Sequence, residues 1–313
     1  MSTRKAAVID MGTNTFHLLL VELNGVGFRT IYKEKIPVKL GQGGISQNQL
    51  AEDAQKRAFH TLTHFKNLID GEGIDQVFAF ATSAVRNAEN GPAFVQKVKE
   101  DIGIEIHVIS GEEEAQLIYE GINLSGSLNG HVNLMMDIGG GSVEFIIGTS
   151  TEVFWKRSFE IGGQRLLDAF HYHDPILPEE VEKLESYCGE KLQPLLEAIE
   201  KYKPTSLVGA SGTFDTLTDI YYESMLQCKL TGQHVFELPT SEFQRIFTLL
   251  KSKNREERLK IPGMIAMRVD MIVVASCLIE FILRYVPVNS MICSHYSLKE
   301  GAVSRLLAGK VTA

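Results

Sequence analysis

A single tryptophan and four cysteines stand among 313 residues. The cysteines, Cys188, Cys228, Cys277 and Cys293, form no CxxC pair and join no His/Cys cluster. That spacing excludes a disulfide-stapled scaffold and argues against structural zinc, so reduced, mostly buried thiols in a cytoplasmic protein are expected. Long apolar runs are missing too. The greasiest stretch, Met264 to Val286, is interrupted by Arg268, Asp270, Glu280 and Arg284. A membrane span needs about 20 predominantly apolar residues, so a buried core helix is expected there and no membrane partner. The short apolar run in MSTRKAAVIDMG reaches Asp10 too early for a signal peptide. Excess positive charge is absent: 31 Lys+Arg against 39 Asp+Glu give a net charge of −8. Nothing global therefore points to a nucleic-acid partner, and a polyanionic ligand would need a local positive pocket. No GxGxxG fingerprint and no glycine loop closed by Gly-Lys-Ser/Thr occurs, which argues against a dinucleotide-binding enzyme and a P-loop NTPase.

What is present is an ordinary globular balance, 44% hydrophobic and 22% charged, on a length that suggests about two domains. Apolar runs at 5–11 and 15–23 read as a hairpin closed by MGTNT, with a third strand over 27–39. Ser46 to Gln49 reads as a capping box opening a helix through about Leu68. Strands at 76–82 and 104–109 alternate with helices at 91–102 and from Ser110 to about Gly121. Such alternation indicates the α/β class. A Gly/Ser/Asn-rich stretch, 123–130, reads as a domain-joining loop. The expected division is residues 1–124 and 125–313, with helical signals at 178–200 and 240–259. A final helix, about 298–308, is expected to pack back on the first domain.

After that loop the opening pattern returns. Val8-Ile9-Asp10-Met11-Gly12-Thr13-Asn14-Thr15-Phe16 matches Met135-Met136-Asp137-Ile138-Gly139-Gly140-Gly141-Ser142-Val143 at an offset of 127 residues. A repeat on this scale implies two similarly folded halves facing one another. In each copy a strand ends in Asp, a glycine-containing turn follows, and a second strand leaves. Glycines let backbone N–H groups approach a ligand, and successive N–H groups form an anion-binding nest. Asp10, Asp137 and Glu144 are hard oxygen donors of the kind magnesium uses together with substrate phosphates. Two hairpins with sterically required glycines are the structural alternative. His17, which corresponds to Glu144 in the repeat, reads as a packed or hydrogen-bonding residue.

Three further segments carry chemistry. In Ser110-Gly111-Glu112-Glu113-Glu114 a capping box explains Glu113, and the helix dipole accounts for Glu112. Glu114 lies beyond the box, where a carboxylate could orient an attacking water as general base. Arg86 follows a strand, at the end of the sheet where open α/β folds bind ligands; a solvated helix arginine is the other reading. Val208-Gly209-Ala210-Ser211-Gly212-Thr213 reads as strand, glycine turn and helix N-terminus, placing Ser211 and Gly212 where phosphate binds.

Taken in order, AVIDMGTNTFHLLL, ATSAVRNAEN, VISGEEEAQLIYEG, MMDIGGGSVEFIIG, SFEIGGQRL, GASGT and RVDMIVVASCLI closely resemble the exopolyphosphatase/guanosine pentaphosphate phosphohydrolase family of the actin-like ATPase superfamily. The resemblance runs from Ala6 to about Leu307. It implies two ribonuclease-H-like α/β domains with the active site in an interdomain cleft, and magnesium as cofactor. It implies Glu114 as catalytic base, Asp137 and Glu144 as magnesium ligands, and Asp10 in a metal- or water-holding role. Gly139, Gly140, Gly141, Ser142, Thr13 and Asn14 would hold phosphate, and Arg86 would meet it. The implied activity removes terminal phosphate from inorganic polyphosphate, or from guanosine pentaphosphate as the nearest rival; a non-catalytic nucleotide or alarmone sensor is the alternative from another class. The resemblance is also compatible with a homodimer. Arg268 and Asp270 are expected to form a buried ion pair.

Overall fold

The computed structural model describes residues 4–25, 27–210, 212–226, 229 and 232–309. The chain divides into two compact units, Met1–Gly121 with Leu298–Ala313, and Ile122–Ser297.

In the first unit the order is β1 (Arg4–Met11), β2 (Phe16–Leu23), β3 (Phe28–Ile36), α1 (Glu52–Gly71), β4 (Val77–Ala81), α2 (Ser83–Arg86), α3 (Gly91–Ile102), β5 (Ile106–Val108) and α4 (Gly111–Leu124). The described strands form one sheet ordered β3-β2-β1-β4-β5. β1, β2 and β3 are antiparallel neighbours, whereas β1, β4 and β5 run parallel. The apolar pattern explains the order. β1 is central and buries Ala6 through Ile9, while β3 at the edge is mostly half-exposed. α1 lays Ala54, Ala58, Leu62, Phe65 and Ile69 on this sheet at helical spacing.

The second unit repeats the plan with β6 (Asn133–Ile138), β7 (Val143–Gly148), β8 (Val153–Phe159), α5 (Gly163–Phe170), α6 (Pro178–Lys191), α7 (Gln193–Tyr202), β9 (Ser206–Ala210), α8 (Gly212–Ser224), β10 (Val235–Pro239), α9 (Thr240–Ser252), α10 (Arg255–Arg258), α11 (Ile272–Leu283) and β11 (Ser290–Ser294). Its sheet is ordered β10-β11-β9-β6-β7-β8. The run β8-β7-β6-β9-β11 carries the same mixture of antiparallel and parallel neighbours as the first sheet, and β10 adds an antiparallel edge. α12 (Leu298–Leu307) belongs to the first unit and lies against β1.

Three local expectations need correction. α1 starts at Glu52 with Ala51 as its N-cap, not at a capping box on Ser46. The Asn90 side chain clamps Leu50 from both sides, accepting from its N–H and donating to its carbonyl at 2.9 Å each, which holds the chain extended before the helix. The 178–200 and 240–259 signals are each two helices. One pair breaks at Leu192 before Pro194, the other at Asn254, which caps α10 through Glu257 N–H. The apolar stretch becomes a helix only from Ile272, after which nearly every residue to Leu283 is buried. Upstream, Gly263 has φ +85° and presses on the backbone of α8, and Arg258 Nε holds the Val269 carbonyl at 3.1 Å, so turns replace the first helical residues. Among the described residues no helix is long and apolar enough to cross a membrane.

Cys188, Cys277 and Cys293 are buried free thiols, and burial pushes those of Cys188 and Cys277 up to about 12; Cys228 lies outside the described residues. Arg258 is itself buried and donates to Asp174 Oδ1 at 2.6 Å, tying α10 to the loop before α6. His171 sits beside this pair, Nε2 3.7 Å from Asp174 Oδ1, and neither ring nitrogen has a hydrogen-bond partner among the described residues. Burial pushes it below the ordinary 6.5; the Arg258 cation adds to this, while Asp174, Glu180 and Asp270 oppose it. The folded protein therefore holds His171 neutral, while the unfolded chain takes up the proton as pH falls through 6.5. Unfolding free energy is expected to drop from about pH 6.5 downward and to level off below the folded value. Urea titrations between pH 7.5 and pH 5 check this, and His171→Phe should flatten the slope.

Candidate active site

The two glycine turns are built alike. In the first, Gly12 N–H donates to the Thr15 carbonyl at 3.1 Å; in the second, Gly139 N–H donates to the Ser142 carbonyl at 3.0 Å. The same closing bond thus recurs at the repeat offset. Each turn is also backed on its carbonyl side. Lys39 and Gly41 N–H groups donate to the Asn14 and Thr13 carbonyls at 2.9 Å each. In the second unit Gly163, Gln164 and Gly162 N–H groups donate to the Gly139, Gly140 and Gly141 carbonyls at 2.8, 2.8 and 3.1 Å. A trans peptide points its N–H opposite to its carbonyl. With three successive carbonyls turned toward α5, the N–H groups of Gly140, Gly141 and Ser142 point away from it together, which is the geometry of an anion nest. Thr13, Asn14 and Ser142 are buried in these turns. Gly162 permits the arrangement, since a Cβ there would meet Gly140 and Gly141 backbone at 2.5 Å.

Acids flank both turns. Asp137 and Glu144 are register partners across β6 and β7, so their side chains share one face of the sheet. Both are buried. Ser158 Oγ donates to Glu144 Oε1 at 2.7 Å, and Ser297 Oγ donates to Asp137 Oδ2. In the first unit the register partner of Asp10 is His17 rather than a second acid. Among the described residues no three His, Cys, Asp or Glu side chains gather into a complete metal cage. Two oriented carboxylates beside an anion nest nevertheless fit magnesium, which is held by one or two carboxylates and otherwise by phosphate oxygens and water.

Three adjacent acids open α4, and burial separates them. Glu112 and Glu113 are exposed; Glu114 is buried. Glu113 N–H donates to Ser110 Oγ at 3.1 Å, the first half of the capping box, and its carboxylate lies 3.3 Å from Arg305 Nη1. Glu114 instead receives Arg86 Nη1 at 2.8 Å, and the same nitrogen donates to the Ile109 carbonyl at 3.1 Å. Arg86 is thus no solvated helix arginine. It ends α2 and fixes the orientation of the Glu114 carboxylate.

The arginine in the apolar stretch also departs from expectation. Asp270 pairs with Arg255 at 2.8 Å, not with Arg268. The Arg268 guanidinium is seated against Gly212 at the start of α8, where a Cβ would meet Nη2 at 1.8 Å. Its Nε is buried with no hydrogen-bond partner among the described residues. Burial pushes its pKa down, while the Asp215 and Asp137 carboxylates pull the other way. A buried guanidinium donor without an acceptor is costly, and a site that binds an anion gives it one. Ser211, which the sequence places next to it, lies outside the described residues. Arg268, Ser158 and Ser297 were not legible as site residues, because their partners stand far away in sequence.

This strand order, repeated in the two units with an Asp ending the first strand and a glycine turn after it, is that of the actin-like ATPase fold. Residues 19–309 match the Ppx/GppA phosphatase family, and the chain belongs to it. It is 44% identical to a crystallised exopolyphosphatase from Cytophaga hutchinsonii, with a TM-score of 0.95 over 98% of each chain. A Ppx/GppA family member from Aquifex aeolicus shares the fold at 24% identity and a TM-score of 0.83 over 100% of each chain. The guanosine-5'-triphosphate,3'-diphosphate pyrophosphatase of Photobacterium profundum is 29% identical over 304 residues, 96% of this chain; the chain spans 59% of that relative's length.

Proposed function

We propose that the protein is a magnesium-dependent phosphohydrolase that releases the terminal phosphate of inorganic polyphosphate. The observation that carries this reading is the Glu114 carboxylate, buried in the first turn of α4 and oriented by Arg86 at 2.8 Å. A non-catalytic sensor has no need of such a base. Glu114 orients a water and takes its proton as the water oxygen bonds to the terminal phosphorus, while the bridging P–O bond breaks and the shortened polyphosphate leaves with that oxygen. The N–H groups of Gly140, Gly141 and Ser142 hold phosphate oxygens and stabilise the charge that spreads over them in the transition state. Thr13 and Asn14, buried in the first unit's turn, offer donors of the same kind. Arg268, over Gly212, adds a cation to the same chemistry. Asp137 and Glu144 would hold magnesium, which supplies the positive charge that lets carboxylates and phosphates coexist. Ser158 and Ser297 orient those two ligands.

The 44% identity to the Cytophaga exopolyphosphatase favours polyphosphate. The Photobacterium relative favours a second reading, removal of the 5′ terminal phosphate of guanosine pentaphosphate. Phosphate release measured side by side on polyphosphates of several lengths and on guanosine pentaphosphate, with and without magnesium, tests both. Tight binding of either with no turnover would reinstate the sensor.

The metal assignment has its own test. Asp137→Asn and Glu144→Gln each remove one anionic oxygen donor and are expected to raise the magnesium concentration for half-maximal activity at least about ten-fold. Ser158→Ala, which removes only an orienting hydroxyl, should shift it less. Magnesium titrations of phosphate release read this directly.

A further inference from the structure

The SFEIGGQRL segment has so far contributed only backbone N–H groups. Its arginine does more. Arg165, in the first turn of α5, donates through Nε to the Gly141 carbonyl at 3.0 Å. That carbonyl also accepts from Gly162 N–H at 3.1 Å, so both of its lone pairs are engaged, one by a cation. The far side of the guanidinium faces Glu160, with Nη2 3.4 Å from Oε2. The peptide in question is Gly141–Ser142, whose N–H points away from α5. Hydrogen bonds in series polarise one another, so a charged donor on the carbonyl strengthens the N–H at the other end of the same peptide. The first turn differs here: backbone N–H groups back its carbonyls, and Arg57 reaches only the next layer, donating to the Val38 and Lys39 carbonyls at 2.8 and 3.0 Å.

We infer that Arg165 is a positioning residue of the second phosphate turn, fixing and polarising the Gly141–Ser142 peptide so that the Ser142 N–H is a strong donor to a phosphate oxygen. This rests on the reading of that turn as the phosphate nest. Arg165 itself need not touch the ligand. Its loss would weaken phosphate binding through one amide, whereas a merely structural arginine would lower stability and leave that amide's response intact.

The experiment follows the Ser142 amide in ¹⁵N-serine-labelled protein, by transverse-relaxation-optimised NMR, as tripolyphosphate, in a methylene-bridged form that resists hydrolysis, is titrated in the presence of magnesium. In the wild type the amide should shift on binding. Arg165→Gln is expected to weaken the Kd about ten-fold and to shrink the Ser142 shift, with a thermal midpoint close to wild type. Arg165→Lys keeps a cationic donor and should recover most of both. Glu160→Gln loosens the far side of the guanidinium without touching the turn, and should give a smaller change in the same direction even where Arg165→Gln folds poorly. An unchanged Kd and an unchanged Ser142 shift in Arg165→Gln and Glu160→Gln would overturn the positioning role and leave the nest standing. A wild-type Ser142 amide that ignores tripolyphosphate while phosphate is still released would overturn the nest and, with it, this role; the hydrolase reading would survive.

Discussion

Replacing Glu114 by glutamine is expected to slow phosphate release by about 10²–10⁴-fold, the range a general base contributes, while tripolyphosphate still binds with near wild-type affinity. Glutamine keeps the shape of the side chain and an oxygen that can accept from Arg86 Nη1, so the 2.8 Å contact survives and basicity alone is lost. Such a change removes an interaction made only on the way to the transition state, and kcat falls without a matching rise in KM. Its neighbours provide the control. Glu113→Gln loses an exposed ion pair to Arg305 and a favourable charge at the helix start, worth about 0.3–1 kcal/mol of stability, and turnover should stay within a few-fold of wild type. Single-turnover phosphate release paired with calorimetric titration of methylene-bridged tripolyphosphate, which resists hydrolysis, separates the two parameters. Equal loss of binding and turnover in Glu114→Gln would move the base elsewhere and leave Glu114 as a partner that keeps Arg86 in place.

The repeat was legible in the sequence because a hairpin writes its chemistry in consecutive residues. An Asp, a glycine and a hydroxyl at fixed spacing specify a strand end, a turn and a donor. Gly12 and Gly139 close their turns through matching bonds. Glu114 stood out from Glu113 for the same local reason, since a capping box uses only one acid. Everything that orients these residues was hidden. Arg86 meets Glu114 across 28 residues, Ser297 meets Asp137 across 160, and Arg165 meets Gly141 across 24. No periodicity relates such pairs; they exist only once the sheet has brought strand ends together. Arg268 is the clearest case. An arginine and an aspartate two residues apart in an apolar stretch suggest an ion pair, yet the turn before α11 directs them apart, Asp270 toward Arg255 and Arg268 onto Gly212. A glycine opening a helix, with an arginine at the head of another apolar helix, was the one signal available. It needed the fold to connect them.

Gly301→Ala is the substitution with the largest expected effect on stability. In α12 a Cβ at this position would lie 1.8 Å from the Leu117 carbonyl oxygen, 2.7 Å from its carbon and 3.1 Å from Gly121 N, all of them backbone atoms of α4. No rotamer can relieve such an overlap, so the two helices must separate by roughly 1.5 Å to reach ordinary contact distance. Overpacking in a close-packed interior commonly costs about 1–3 kcal/mol, and a clash with backbone on both sides belongs at or above the top of that range. The displacement has a functional direction. Arg305 in the last turn of α12 is tied to Glu120 at 2.7 Å and to Glu113, and Glu114 lies about one turn before Leu117, so the displacement falls on the part of α4 that carries the carboxylate. Arg86, by contrast, is anchored to the Ile109 carbonyl ahead of the helix. Pushing α4 would therefore pull the carboxylate away from its guanidinium, and a misplacement of about 1 Å in a catalytic group can lower the rate about 10²-fold. The variant should show a lower urea midpoint and, in the fraction that is folded, a reduced kcat. Gly130→Ala is the matched control. No atom lies within 4 Å of a Cβ there, and the change should be neutral or add about 0.4–1 kcal/mol by restricting the unfolded chain. A Gly301→Ala protein as stable and as active as Gly130→Ala would mean that α12 does not set the position of α4, and that Glu114 is held in place independently of it.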